Sequence, residues 1–384
     1  MPYYRQVGEV PRKRHTIARQ PDGSIFAEEL MGTEGFSSSS ALLYHRHSPS
    51  ALLAAEVVEH SAPSFTPNAP LLPHHLRTGD VTAGGSEPVA LLGNEDVVLA
   101  VTRVTETTEL RRNAIGDELV YVQSGRGVLE SVFGRLSVGP GDYVVIPVST
   151  TYRWAVDGDE PLALLVIEST GHIHPPRKYL TQEGQFLEHA PYCERDLRAP
   201  SEPLLEEGED VEVLVRTRAG LTCYRYAHHP FDVVGWDGAL YPWVLSIHDF
   251  EPIVGRLHQP PPVHQTFELP NAVVCSFVPR LYDFHPEAIK VPYHHANVDS
   301  DEVLFYSEGN FMSRAGSGID VGSISLHPAG FVHGPQPGSL EAAMPKDRTE
   351  EVAVMLDTFR PLGLSEAARS VSDPDYPWTW ARRR

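Results

Sequence analysis

PYHHANVDSDEVLFYSEG, residues 292–309, and GSISLHPAGFVHGP, residues 322–335, carry polar, chemistry-bearing side chains at fixed intervals. His295 and Asn297 alternate, four residues separate Asn297 from Glu302, and six separate Glu302 from Gly309. In the second segment five residues lie between Gly322 and Pro328, Gly330 is next but one, and His333 follows after two more. The apolar run Val303 to Tyr306 before Gly309 predicts a strand closed by a tight turn. Alternate positions of a strand share a face, and the glycine turn returns the chain so that a later strand brings His333 to the same cavity. Two imidazoles and one carboxylate, with no thiolate nearby, are a donor set that leaves positions open on non-haem Fe(II) for a substrate and dioxygen. His295, Glu302 and His333 are therefore the expected metal ligands and Fe(II) the expected ion. Singly, each would more often be a satisfied polar residue; their joint spacing is the signal.

A degraded copy of the pattern occurs earlier. Asp117 to Gly125 lies over Asp301 to Gly309 at an offset of 184, and Gly141, Pro147 and Tyr152 lie over Gly322, Pro328 and His333 at an offset of 181. Two matches at nearly one offset argue for duplication. Arg111, Asn113, Glu118 and Tyr152 fall at the ligand positions of this copy, with both histidines gone. It is expected to fold without metal and to shape the mouth of its partner's pocket, leaving one active site per chain. Strand-like runs at 97–105, 119–122, 128–133, 143–146 and 162–167, then at 272–278, 303–306, 322–326 and 352–356, are separated by turns drawn from 34 Pro and 30 Gly. Helical periodicity is confined to short pieces such as 365–370. The fold class is all-β: a bicupin of two double-stranded β-helix, or jelly-roll, barrels with short helices only. Residues 1–230 read as the degenerate barrel with an N-terminal extension and a long linker, and 231–384 as the catalytic barrel and its tail.

Composition sets the limits. The 384 residues exceed one ordinary domain. Lys and Arg total 31 against 51 Asp and Glu, and the resulting charge of −20 repels nucleic-acid phosphates and anionic lipid alike. A small-molecule partner is expected, not nucleic acid or a membrane, and the longest apolar run, 162–167, is too short to span a bilayer. Cys193, Cys223 and Cys275 are isolated, so neither a disulfide framework nor a thiolate zinc site is suggested. A reducing cytoplasm fits, as does a polar N-terminus without the apolar core of a signal peptide. The acidic stretch at 206–210 reads as a solvated loop and Arg382 to Arg384 as an exposed tail.

At several stations the chain resembles the homogentisate 1,2-dioxygenase family of two-cupin, Fe(II)-dependent ring-cleaving enzymes. These are FAEEL at 26–30, GDE at 116–118, GDY at 141–143, DVVGW at 232–236, PYHH at 292–295, SLH at 325–327 and HGP at 333–335. The resemblance implies iron ligation by His295, Glu302 and His333, and an acid/base role for His258 in LHQP at 257–260. It also implies substrate contacts by Tyr293, Phe311 and His327. A small aromatic substrate and O2, homogentisate as met in tyrosine degradation, and a homo-oligomer come with it. An imidazole with an unperturbed pKa of about 6.5 suits removal of a phenolic proton before ring opening, in which both oxygen atoms enter the product.

The chain departs from the family in three places. It has one residue more between His295 and Glu302, Glu308 where Arg is common, and Phe311 where Tyr is common. The last two are expected near the substrate, so they bear on substrate choice more than on iron. Two other classes stay open from the residues: a metal-dependent two-cupin isomerase, which needs no oxygen, and a non-enzymatic two-cupin binding protein, which need keep no ligand set. His172 and His174 read as a solvated strand end, and the pairs His74 with His75 and His228 with His229 as surface or interface residues.

Overall fold

The computed structural model describes residues 3–81 and 87–381; Arg382, Arg383 and Arg384 lie outside the described residues. Strands dominate, and the α-helices Ser339–Ala343 and Glu366–Ser370 have five residues each. The latter starts where expected, because Ser365 caps it by accepting from the Ala368 amide. The strand-like runs read from the sequence end within two residues of observed strands. Leu162–Ser169 is buried on both faces and accordingly apolar almost throughout, whereas Gly134–Val138 alternates buried and exposed residues.

The duplication is visible in the topology. In the eight-stranded sheet, Glu118–Ser124 lies between Asp142–Ile146 and Leu162–Ser169. In the six-stranded sheet, Asp301–Glu308 lies between the corresponding Ser323–His327 and Val352–Thr358. Matching aspartates clamp matching turns: Asp117 accepts from the amides of Val148 and Ile173, and Asp301 from those of Ala329 and Leu362. The closing glycines, Gly125 at φ 80° and Gly309 at φ 91°, are obligatory, since a Cβ there would meet the carbonyl oxygens of Pro161 at 2.4 Å and Glu350 at 1.9 Å. The barrels meet through paired contacts: Tyr121 Oη lies 2.7 Å from Ser307 Oγ, and Tyr143 Oη lies 2.9 Å from Ser276 Oγ.

Pairing crosses the division drawn at residue 230 in both directions. His74–Arg77 adds to the edge of the six-stranded sheet beside Ser323–His327. Trp243–Ser246 pairs with Asp142–Ile146, and Gly363–Leu364 with Val89–Gly93, in the eight-stranded sheet. His75, read as a surface or interface residue, is consequently buried, 2.9 Å from Ser323 Oγ. His229 is also buried, because the ring accepts the Phe231 amide at 3.1 Å and packs on the Phe231 ring. The FAEEL and DVVGW segments meet in a four-stranded sheet, where Ser40–His45 pairs with Ala27–Gly32 on one side and Val233–Gly238 on the other. There the His45 ring is held between Asp232 at 2.6 Å and Glu29 at 3.0 Å. Burial opposes its charge, but the two carboxylates win and push its pKa up to about 9. The three cysteines are free, and no helix among the described residues is long and apolar enough to cross a membrane.

Candidate metal centre and cavity

Glu302 sits near the start of Asp301–Glu308, where the register pairs it with His327 on one side and Asp357 on the other. His295 and His333 belong to no regular strand. Their backbones form an isolated bridge, each amide donating to the other's carbonyl at 2.9 Å, and this brings the rings to 4.3 Å. In each ring Nδ1 is turned to a backbone carbonyl two residues upstream, Tyr293 at 3.1 Å and Phe331 at 3.0 Å. Donation there keeps the proton on Nδ1 and frees the Nε2 lone pair, the usual arrangement of metal-binding histidines. The two Nε2 atoms face Glu302 at 3.5 and 3.2 Å, and the three donors lie within 4.8 Å of one another. This set of two imidazoles and a carboxylate fits a divalent metal of the Fe(II) kind.

The carboxylate is ready for that role. Burial opposes its ionisation, but the hydrogen bond from His327 and the close approach of the His295 and His333 rings outweigh burial and hold it well below the usual carboxylate range. Burial, then the Arg314 guanidinium, pushes His327 down to about 3, so its ring is neutral. Nδ1–H then donates to Glu302 Oε1 at 2.8 Å while Nε2 accepts the Tyr376 hydroxyl at 3.0 Å. The third element of this shell comes from the C-terminal turn Tyr376–Ala381: Trp380 Nε1 donates to the Gly334 carbonyl at 3.0 Å, beside Arg314 at 2.9 Å.

His295 and Glu302 line a cavity of about 210 Å³. His258 and Tyr293 line it too, with their rings 5.2 Å apart and the Tyr293 ring 6.2 Å from that of His295. Asp283 holds His258, its Oδ2 lying 3.2 Å from Nδ1. His333 completes the donor set from behind, 2% exposed.

Three residues expected near the substrate lie outside the cavity lining. His327 is not among the residues lining the cavity: it is wholly enclosed between Glu302 and Tyr376 and holds the carboxylate from behind. Phe311 is 7% exposed and packs on Tyr306 at 4.9 Å outside the cavity wall, because the Gly309 turn carries it away. Glu308 is exposed beside His248, since a register shift between Tyr306 and Glu308 turns it outward. Four further polar groups near the site, Asp283, Arg280, His264 and Tyr376, went unrecognised in the sequence. Only the aromatic density of YPWTW at 376–380 hinted that the C-terminal segment is packed rather than solvated.

At the corresponding place in the first barrel, Tyr152 donates to Glu118 at 2.8 Å, and Asn113 donates to Glu168 at 2.7 Å. Burial, reinforced by Glu168, pushes the Glu118 carboxyl up to about 7. Arg111, Asn113 and Tyr152 thus each donate hydrogen bonds from the positions that correspond to His295, Asn297 and His333.

A family model described as "Homogentisate 1,2-dioxygenase N-terminal" matches residues 83–247. The chain is 39% identical over 387 residues to a Saccharolobus solfataricus protein named "Putative dioxygenase", with 99% of each chain covered. It is 25% identical over 339 residues to the homogentisate 1,2-dioxygenase of Rhodopseudomonas palustris, covering 82% of this chain and 73% of that one. Among solved structures, a cupin 2 conserved barrel domain protein from Leptotrichia buccalis aligns over 74% of this chain and 96% of its own, with a TM-score of 0.33 and 9% identity.

Proposed function

The chain belongs to the homogentisate 1,2-dioxygenase family, a family of dioxygenases, and on that premise we propose that it is an Fe(II)-dependent, ring-cleaving dioxygenase of a hydroquinone-type phenolic acid, homogentisate or a close relative. The observation that carries this reading is the donor set His295, Glu302 and His333, within 4.8 Å, with His295 and Glu302 opening on the cavity that His258 also lines. Fe(II) held there would supply the electron transfer that lets triplet dioxygen react with a closed-shell ring. The protein's own groups do the rest. His258, backed by Asp283, takes the proton of a phenolic hydroxyl at Nε2. Tyr293 flanks the guest between His258 and His295, and His327 with Tyr376 keeps Glu302 ionised and oriented.

The test is anaerobic loading with Fe(II) followed by an oxygen-electrode screen of homogentisate, gentisate and substituted hydroquinones. Uptake of one O2 per molecule consumed, appearance of a ring-opened acid, and loss of both in Glu302→Ala are expected. Failure of the iron-loaded chain to take up oxygen with any of these compounds rejects the reading.

A further inference from the structure

His264 lines the same cavity as His258 and Glu302 but takes no part in the chemistry described so far. It ends the turn Pro261–His264 and is 5% exposed, and its Nδ1 is enclosed without a hydrogen-bond partner among the described residues. Burial, with Arg280 and His258 adding to it, pushes the imidazole down to about 3, so the ring is neutral at working pH. A neutral ring with no acceptor at Nδ1 keeps its proton on Nε2, which leaves an N–H for an occupant of the cavity. The His264 ring packs 4.8 Å from that of Phe277, and the Arg280 guanidinium lies 5.4 Å over the Phe277 ring. Arg280 gives one N–H to the Val278 carbonyl at 3.1 Å and pairs with Glu351, which also lines the cavity, at 3.5 Å, so further N–H groups of its five remain for a guest. Of the two other cations lining the cavity, Lys290 donates to the Lys346 carbonyl, and Arg314 donates to the Tyr306 hydroxyl at 3.0 Å and the Gly334 carbonyl at 2.9 Å. The wall therefore presents a permanent cation, an aromatic face and a neutral N–H donor side by side.

An aromatic ring needs only Phe277. A carboxylate uses all three neighbours, taking charge-assisted hydrogen bonds from the guanidinium and the imidazole while its carbon chain lies on the ring. We infer that Arg280 and His264 form the carboxylate-binding wall of this cavity and select an aromatic acid over a neutral phenol bearing the same hydroxyls. The inference rests on the proposed reading of the cavity as the substrate site, and it makes His264 a specificity residue rather than a core histidine.

The full-length, Fe(II)-loaded chain is titrated calorimetrically, with oxygen excluded, against homogentisate and against methylhydroquinone, which has the same ring and no carboxylate. Wild-type protein should bind homogentisate roughly ten- to a hundredfold more tightly, the range expected for hydrogen bonds to a charged group. His264→Leu and Arg280→Leu should each lose most of that ratio while leaving methylhydroquinone binding unchanged, and His264→Gln, which keeps an N–H donor, should restore it. If His264→Leu does not fold, His264→Phe carries the same test. Equal affinity of the wild type for the two compounds, binding of neither, or a ratio indifferent to His264 overturns the inference. Oxygen uptake separates the two readings. Selective binding without uptake rejects the dioxygenase reaction and keeps the wall, whereas uptake with a ratio blind to His264 keeps the reaction and rejects the wall.

Discussion

Replacing His327 with leucine tests whether the carboxylate of the metal centre depends on a partner that never meets substrate or metal. The substitution fills much of the same buried volume but removes the 2.8 Å hydrogen bond to Glu302 Oε1. A hydrogen bond to a charged group contributes about 1.5–3 kcal/mol, and tenfold in affinity corresponds to about 1.4 kcal/mol. Metal affinity should therefore fall roughly ten- to a hundredfold, the range known for partners that orient metal ligands. Anaerobic competition with a chromophoric chelator reads the affinity, and calorimetric unfolding in excess metal reports whether the fold survives. Tyr376→Phe is the control. Tyr376 reaches Glu302 only through His327, so its hydroxyl should matter less. A folded His327→Leu protein that binds metal within about threefold of wild type, or a Tyr376→Phe protein equally impaired, would refute the reasoning.

His258→Ala should lower turnover by roughly 10²–10⁴ while iron content stays unchanged, and Asp283→Asn should do the same more mildly; loss of iron in either, measured by metal analysis, contradicts the acid/base assignment. Because the folded-state pKa of Glu118 is raised to about 7, the native state holds a proton that the unfolded chain releases from about pH 4.5 upward. Wild-type stability should thus fall as pH rises from about 4.5 to 7, by roughly 3 kcal/mol at most, and Glu118→Gln should flatten that slope in urea unfolding at pH 5 and 8. Emission spectroscopy of the purified chain should find one divalent ion per chain, lost in Glu302→Ala and kept in Glu118→Ala; two ions, or dependence on Glu118, would restore the first barrel as a metal site.

The strands, the duplication and the spacing that gathers His295, Glu302 and His333 were legible in the sequence because each rests on local patterns. Alternation along a strand and a glycine forced to positive φ, as at Gly309, require only short stretches of chain to declare themselves. The placement of His327, Phe311 and Glu308 was not legible for the opposite reason. Spacing places them near the site, but a bulge after Tyr306 and enclosure by the Tyr376 turn decide which way they face.

By itself, then, the sequence determined an all-β pair of barrels and singled out the two histidines and the glutamate that the structure gathers within 4.8 Å, since periodicity and turn chemistry are written in neighbouring residues. Only the tertiary structure decided what surrounds those donors. The backbone bridge joining His295 to His333, the strand His74–Arg77 lent to the second barrel, the cap from Tyr376 and Trp380, and the cavity wall of His264, Phe277 and Arg280 all join segments distant in the chain. Such contacts depend on how whole sheets pack, and no spacing rule records them.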